Sequence, residues 1–216
     1  MNGTNRVICA GAIVGIVFFL LVPARVFSQT RPDALQEYRN GNYASAVSIC
    51  KAEIATNSHN IESHVVICWS LIRLGRYEEA RTYALSGLNI NQYDIRIIES
   101  LGEVYYYQGK NQESLKRFQD YINLAPEGGR IDVVYYFIGE IYIRLGRFRH
   151  ADIALTTAVH YVPGNAAWWT RLAYARENAG DLTDAVQAYE QALSLDSQLS
   201  DARRGLDRAR QSLGSR

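Results

Sequence analysis

Proline is scarce in this chain, four in 216 residues, and cysteine and methionine are scarcer, at three and one. So little proline excludes a polyproline or low-complexity architecture. Three cysteines, one of them Cys9 in an apolar N-terminal stretch, do not make a disulfide scaffold. An excess of one charge is also lacking, with 23 basic and 22 acidic residues and a formal charge of +1. Without a basic surplus the chain has little to offer nucleic acid phosphates, so nucleic acid is not expected as a partner. The four histidines, His59, His64, His150 and His160, never fall four apart, and no Cys-x-x-Cys occurs. A P-loop, a G-x-G-x-x-G and a G-x-S-x-G elbow are missing as well. The expectation is a non-catalytic protein with no metal and no cofactor.

What is present begins with an N-terminal segment unlike the rest. Arg6 precedes an uncharged apolar run from Val7 to Val22, which Pro23 ends. Val26-Phe27-Ser28 then supplies small or β-branched residues at the positions a cut before Gln29 would need. Residues 1–28 are expected to be a signal peptide, making the protein exported, periplasmic or secreted. The alternative is an uncleaved signal anchor that holds it at the membrane, although 16 apolar residues are short against the roughly 20 a spanning helix needs. Removing Arg6 and Arg25 leaves 21 basic against 22 acidic residues.

From residue 29 onward one phrase recurs, G-x-aromatic-x-x-A. It reads Gly41 to Ala46, Gly75 to Ala80, more weakly Gly109 to Ser114, Gly146 to Ala151, and Gly180 to Ala185. The glycines are 34, 34, 37 and 34 residues apart. Ile-Arg-Leu-Gly-Arg occurs twice within this frame, at residues 72–76 and 143–147. Around each glycine the apolar residues step by three and four, as Ile95, Ile98, Leu101 and Tyr105 do before Gly109. Glycine ends one helix by accepting a left-handed conformation, and a second helix follows. A fixed period of this length marks stacked helix–turn–helix units, since one pair cannot cover its own apolar face. The three extra residues between the third and fourth units fall near Gly128-Gly129 and read as a lengthened surface loop.

These phrases resemble the tetratricopeptide repeat (TPR). The third unit has Leu101-Gly102 and Tyr105, then Phe118 and Pro126; the fourth has Gly139, Tyr142, Ala151, Ala158 and Pro163; the fifth has Trp169, Leu172, Ala185 and Ala192. The second departs from the pattern, with His64 at the usual Trp and Cys68 at the usual Gly. The resemblance covers about residues 31–213 and implies an all-α, right-handed superhelical solenoid of about five units plus a C-terminal capping helix. The units are placed at 29–58 (degenerate), 59–93, 94–127, 128–164 and 165–198, with the cap at 199–216. Arg203, Arg204, Arg208 and Arg210 read as the polar outer face that a terminal helix requires.

The resemblance also implies a concave groove lined by the first helix of each unit. Its stripe comprises Glu62, Val65, Trp69, Ile72 and Arg73; Arg96, Glu99, Glu103, Tyr106 and Tyr107; Val133, Tyr136, Glu140, Ile143 and Arg144; and Ala167, Thr170, Tyr174, Glu177 and Asn178. From these, Trp69, Arg73, Glu99, Glu103, Tyr106, Tyr107, Tyr136, Glu140, Arg144 and Tyr174 are the candidate partner-binding residues. They form aromatics and carboxylates edged by the two arginines of the doubled phrase, suited to a basic or aromatic segment. The aromatics either anchor a partner or fill a tightly curved interior. Cys50 and Cys68 fall at core positions of adjacent helices, where they either form a disulfide or serve as small buried hydrophobes. The expected function is an exported adaptor that holds a protein or peptide of unknown identity. Two alternatives stand beside it: a subunit of an envelope transport or assembly complex docking through its convex face or cap, with self-association, and a small-ligand-binding component of a transporter.

Overall fold

The computed structural model describes residues 33–215. The leader at 1–28, its cleavage or anchoring, and residues 29–32 lie outside the described residues. Within them the chain is all helical, in the order α1 (Ala34–Arg39), α2 (Tyr43–Thr56), α3 (Ile61–Arg73), α4 (Tyr77–Ile90), α5 (Ile95–Tyr107), α6 (Asn111–Leu124), α7 (Ile131–Arg144), α8 (Phe148–Tyr161), α9 (Ala166–Ala179), α10 (Leu182–Leu195) and α11 (Ser200–Gly214). They pair as five antiparallel hairpins followed by a single helix, stacked into a right-handed solenoid. Each front helix (α1, α3, α5, α7, α9, α11) touches the next front helix.

Local chemistry repeats with the period. The five glycines of the recurrent phrase all have positive φ, between 68° and 89°. At each, the glycine N–H and the next N–H satisfy the last carbonyls of the front helix. Gly75 donates to the Ile72 carbonyl at 3.0 Å and Arg76 to the Leu71 carbonyl at 2.9 Å, the Schellman closure. Four front helices open on an Asp or Asn whose side chain accepts from the first turn: Asp33, Asn60, Asp94 and Asn165. The exceptions are α7, which opens on Arg130, and α11, which opens on Leu199, both without such a cap.

The core runs along the stack without a break between units. Ile97, Leu101 and Val104 of α5 pack with the core of the first two hairpins, while Ile98 on the same helix packs forward against α6 and α7. Phe118 is fully buried and stacks on Phe137 of the next unit, with centroids 5.6 Å apart. At the far end Tyr189, also buried, donates its hydroxyl to Glu177 at 2.6 Å, and Arg208 of α11 closes on the same carboxylate with two bonds of 3.0 Å. The cap is thus tied on by charge and by Ala202, Leu206 and Ala209, while its outer arginines face solvent. Cys50 and Cys68 are both fully buried and are free thiols. Burial pushes Cys50 up to about 12, and Cys68 is raised further for the same reason.

Two outcomes follow. A Cβ on Gly146 would meet nothing within 4 Å, yet the residue sits at φ +68°, so Gly146→Ala strains the backbone alone. The loss is about 1 kcal/mol in denaturant titration; no loss would show that the turn can rearrange. Iodoacetamide at pH 8 should spare Cys50 and Cys68 in the folded chain and label both after unfolding, as read by peptide mapping. Rapid labelling of either in the native protein would contradict their burial.

Candidate functional site

Because the front helices stand side by side, their outward residues line one concave face. A cavity of ≈ 540 Å³ opens there, between α1 and the start of α7. Its aromatic lining is Tyr38 of α1, Trp69 of α3 and Tyr107 of α5, with the buried Phe137 of α7. Ile72, Ile95 and Val133 add apolar wall, and Tyr121 reaches in from α6. The charged lining is Arg73, Arg96, Glu99, Glu103 and Arg130. Tyr107 is the most open of the ring systems, 46% exposed, and it stacks on Tyr77 with centroids 4.8 Å apart.

The charges form two groups of three. Arg96 holds Glu62 with two bonds of 2.8 and 2.9 Å, and its Nη2 donates to Asp94 at 2.7 Å. Burial of Asp94 opposes ionisation, but Arg96 and two backbone N–H groups outweigh it and hold the carboxyl below its ordinary range. In the second group Arg130 serves two carboxylates at once, Glu99 at 2.8 Å and Glu103 at 3.0 Å. Glu99 is almost wholly buried and Glu103 nearly so, and they lie one helical turn apart on α5. Burial first, and then the neighbouring Glu99 carboxylate, raises Glu103 to about 9 despite Arg130. Glu103 therefore keeps its proton at neutral pH.

Arg130 owes its place to the three-residue insertion. The chain turns at Gly128, where a Cβ would lie 2.5 Å from the Tyr121 hydroxyl. That hydroxyl accepts the Arg130 backbone N–H at 3.1 Å, a bond that fixes the backbone immediately before α7. The segment expected as a bland loop therefore delivers the cation of the cavity.

The candidate stripe divides into two. Trp69, Arg73, Glu99, Glu103 and Tyr107 meet in the cavity. Tyr106, Tyr136, Glu140, Arg144 and Tyr174 do not line it and are occupied with one another's neighbours. Tyr136 stacks on Trp168 with centroids 5.0 Å apart, and Glu140 takes Arg171 through bonds of 2.6 and 2.9 Å. Arg171 in turn lies 5.3 Å from the Tyr174 ring. Arg144 sits 4.2 Å over the Tyr106 ring and donates to the Tyr106 carbonyl and to Asn111. Val65 of the stripe is fully buried. Along this half the tyrosines fill the curve of the stack. Sequence reading missed Tyr38, Ile95, Phe137 and above all Arg130. The signal available was the one departure from the 34-residue period, occupied by a glycine pair and an arginine.

Among the described residues no group of three or more His, Cys, Asp and Glu could hold a metal ion. The cavity lining contains no Ser, Thr, Cys, His or Lys, and its carboxylates face one shared arginine rather than opposite sides of a substrate.

The raised Glu103 has a thermodynamic sign. A carboxyl whose folded value exceeds its unfolded one contributes stability that is complete below the unfolded value and is lost as pH rises through the folded one. For Glu103 the window runs from its ordinary 4.5 to about 9. Melting of the parent chain should therefore fall across pH 5–9 relative to Glu103→Gln, and the two curves should diverge by several degrees. Parallel curves would show that the carboxylate is compensated.

The sequence model of the tetratricopeptide repeat matches residues 137–211. No curated protein matches the chain by sequence. Among solved structures, MamA from residue 41 onward of Desulfovibrio magneticus RS-1 superposes with a TM-score of 0.68 at 17% identity, covering 77% of this chain and 93% of that one. YrrB, described as a TPR protein with an unusual peptide-binding site, gives 0.68 at 16% identity, covering 77% and 84%. A thermophilic TPR protein of Thermus thermophilus gives 0.60 at 19% identity, covering 82% and 94%. At such identities the likeness concerns architecture, and the architecture is that of a tetratricopeptide-repeat solenoid.

Proposed function

We propose that this chain is a non-catalytic scaffold that holds an extended segment of a partner protein along its concave face, seated in the cavity between α1 and α7. The observation that carries the reading is the cavity itself, with its open aromatic rim above partly uncompensated charge. Exposed aromatics around a concave floor are the usual anchors of protein interfaces. The peptide-binding description of the structurally similar YrrB supports the same use of the fold. We further propose export, on the strength of Arg6, the apolar run Val7–Val22 and Val26-Phe27-Ser28. A small ligand is the second reading, favoured by a volume of ≈ 540 Å³, within the roughly 300–1,000 Å³ usual for small-molecule sites.

A photo-crosslinking residue in place of Tyr107 reports on the cavity; one in place of Ile153, 69% exposed on the second helix α8 of its hairpin and outside the cavity lining, reports on the surface away from it. Partner protein should be captured from Tyr107 and not from Ile153, and Trp69→Ala should lower capture at least about tenfold, the scale of an interface hot spot. Capture from Ile153 alone would move the partner away from the cavity. A melting point raised by a dialysable component of the extract, with no crosslinked protein, would favour the small ligand.

A further inference from the structure

We infer that the centre of the cavity is a subsite for one cationic side chain, lysine or arginine, of the bound segment. This rests on the groove reading above and names what that groove selects. Its basis is a count of charges by position. Arg96 is saturated by Asp94 and Glu62. Arg130 is shared by Glu99 and Glu103, and among the described residues no other cation comes within ion-pair distance of either. The floor thus offers two carboxylates and one guanidinium.

Trp69, Tyr107 and Tyr38 line the same cavity, Tyr38 packed on Trp69 and Tyr107 stacked on Tyr77. A carboxylate pair short of one positive charge, beside aromatic rings, is complementary to an ammonium or guanidinium group. In the free chain the place of that charge is taken by the proton that Glu103 retains. An entering cation displaces the proton to solvent, so no charge is left uncompensated in the bound state. Binding of a basic segment is accordingly coupled to release of a proton and strengthens as pH rises from 6 to 8.5. The charged and titratable groups facing Glu103 are Glu99 and Tyr107 on α5, Arg130 before α7, Arg73 on α3 and Tyr38 on α1. Of these only Arg73 opposes a cation without a carboxylate of its own. It is exposed at the rim, where solvent and salt screen it.

The test presents the full chain with four pools of nonapeptides, randomised except for a central Arg, Lys, norleucine or Glu. The Arg and Lys pools should be retained about tenfold more than the norleucine pool, the scale of one charge-assisted contact. Their advantage should be larger at pH 8.5 than at pH 6. Glu103→Gln should bring the ratio of the basic pools to the norleucine pool towards one. Equal retention of all pools, or a basic preference that survives Glu103→Gln, overturns the subsite while the groove stands. Preference for the Glu pool overturns it in favour of Arg73 as the anchor. Retention of no pool overturns the groove reading and this inference with it. The pH comparison on the unaltered chain decides the matter even if the variant fails to fold.

Discussion

A pair of helices has more apolar surface than the pair can cover, and everything else in this molecule follows from how that excess is buried. Each hairpin covers one flank against the hairpin before it and the other against the hairpin after it. The stack therefore needs every front helix to stand beside the next, as Ile97 and Ile98 show by facing backward and forward from adjacent positions of α5. The concave face is a by-product of this packing. Residues that face neither flank have nowhere to point except into the curve. There a side chain meets its counterparts from the units on either side, and the chemistry of the face is set by which of them neutralise each other.

That neutralisation follows a rule. A glutamate on one front helix takes an arginine from the next: Glu62 with Arg96, Glu99 with Arg130, Glu140 with Arg171, Glu177 with Arg208. Three of the four pairs are 31 residues apart. Within the groove, most of the negative charge that the stripe presents on paper is spent on holding units together. What distinguishes the second interval is arithmetic, since Glu103 also claims Arg130. The surplus arises at one point only, and it coincides with the cavity. Coincidence of an open volume with a carboxyl that has no cation of its own is what sets this interval apart from the other seams.

The repeat frame was legible because it rests on positions where one residue type is nearly compulsory. Glycine at positive φ, alanine at a helix crossing and an N-capping Asp or Asn each leave a mark at a fixed distance from the next. The pattern that located the front helices also located the stripe. It could not tell which members of the stripe would be free, because that depends on side chains about 31 residues away whose reach is a matter of three-dimensional registry. Tyr136 and Tyr107 look alike as exposed aromatics in sequence. In the fold Tyr136 lies flat on Trp168, while Tyr107 stays exposed at the cavity. Arg130 was hidden for the opposite reason: it sits in the only stretch that breaks the period, where an inserted residue is ordinarily read as slack.

The doubled Ile-Arg-Leu-Gly-Arg shows how one local phrase acquires two fates from its neighbours. In both copies leucine closes the front helix and glycine turns the chain, and the arginine before the leucine reaches back to the preceding unit. Arg144 finds the Tyr106 ring, the Tyr106 carbonyl and the Asn111 side chain there. Counting from the turn glycines, the equivalent residues in front of Arg73 are Tyr38 and Tyr43. A phenol stands where the asparagine acceptor would be, and Arg73 rests 5.7 Å from the Tyr43 ring with no carboxylate in reach among the described residues. The clamp that fastens the third unit to the fourth is therefore left loose between the first and the second. The looseness lies at the mouth of the cavity, beside Trp69 and Tyr38. With Arg73 at the mouth, held only by Tyr43, and carboxylates deeper in, the cavity differs in charge along its depth; on the reading proposed above, a bound segment would enter with its basic group inward and any acidic group toward Arg73.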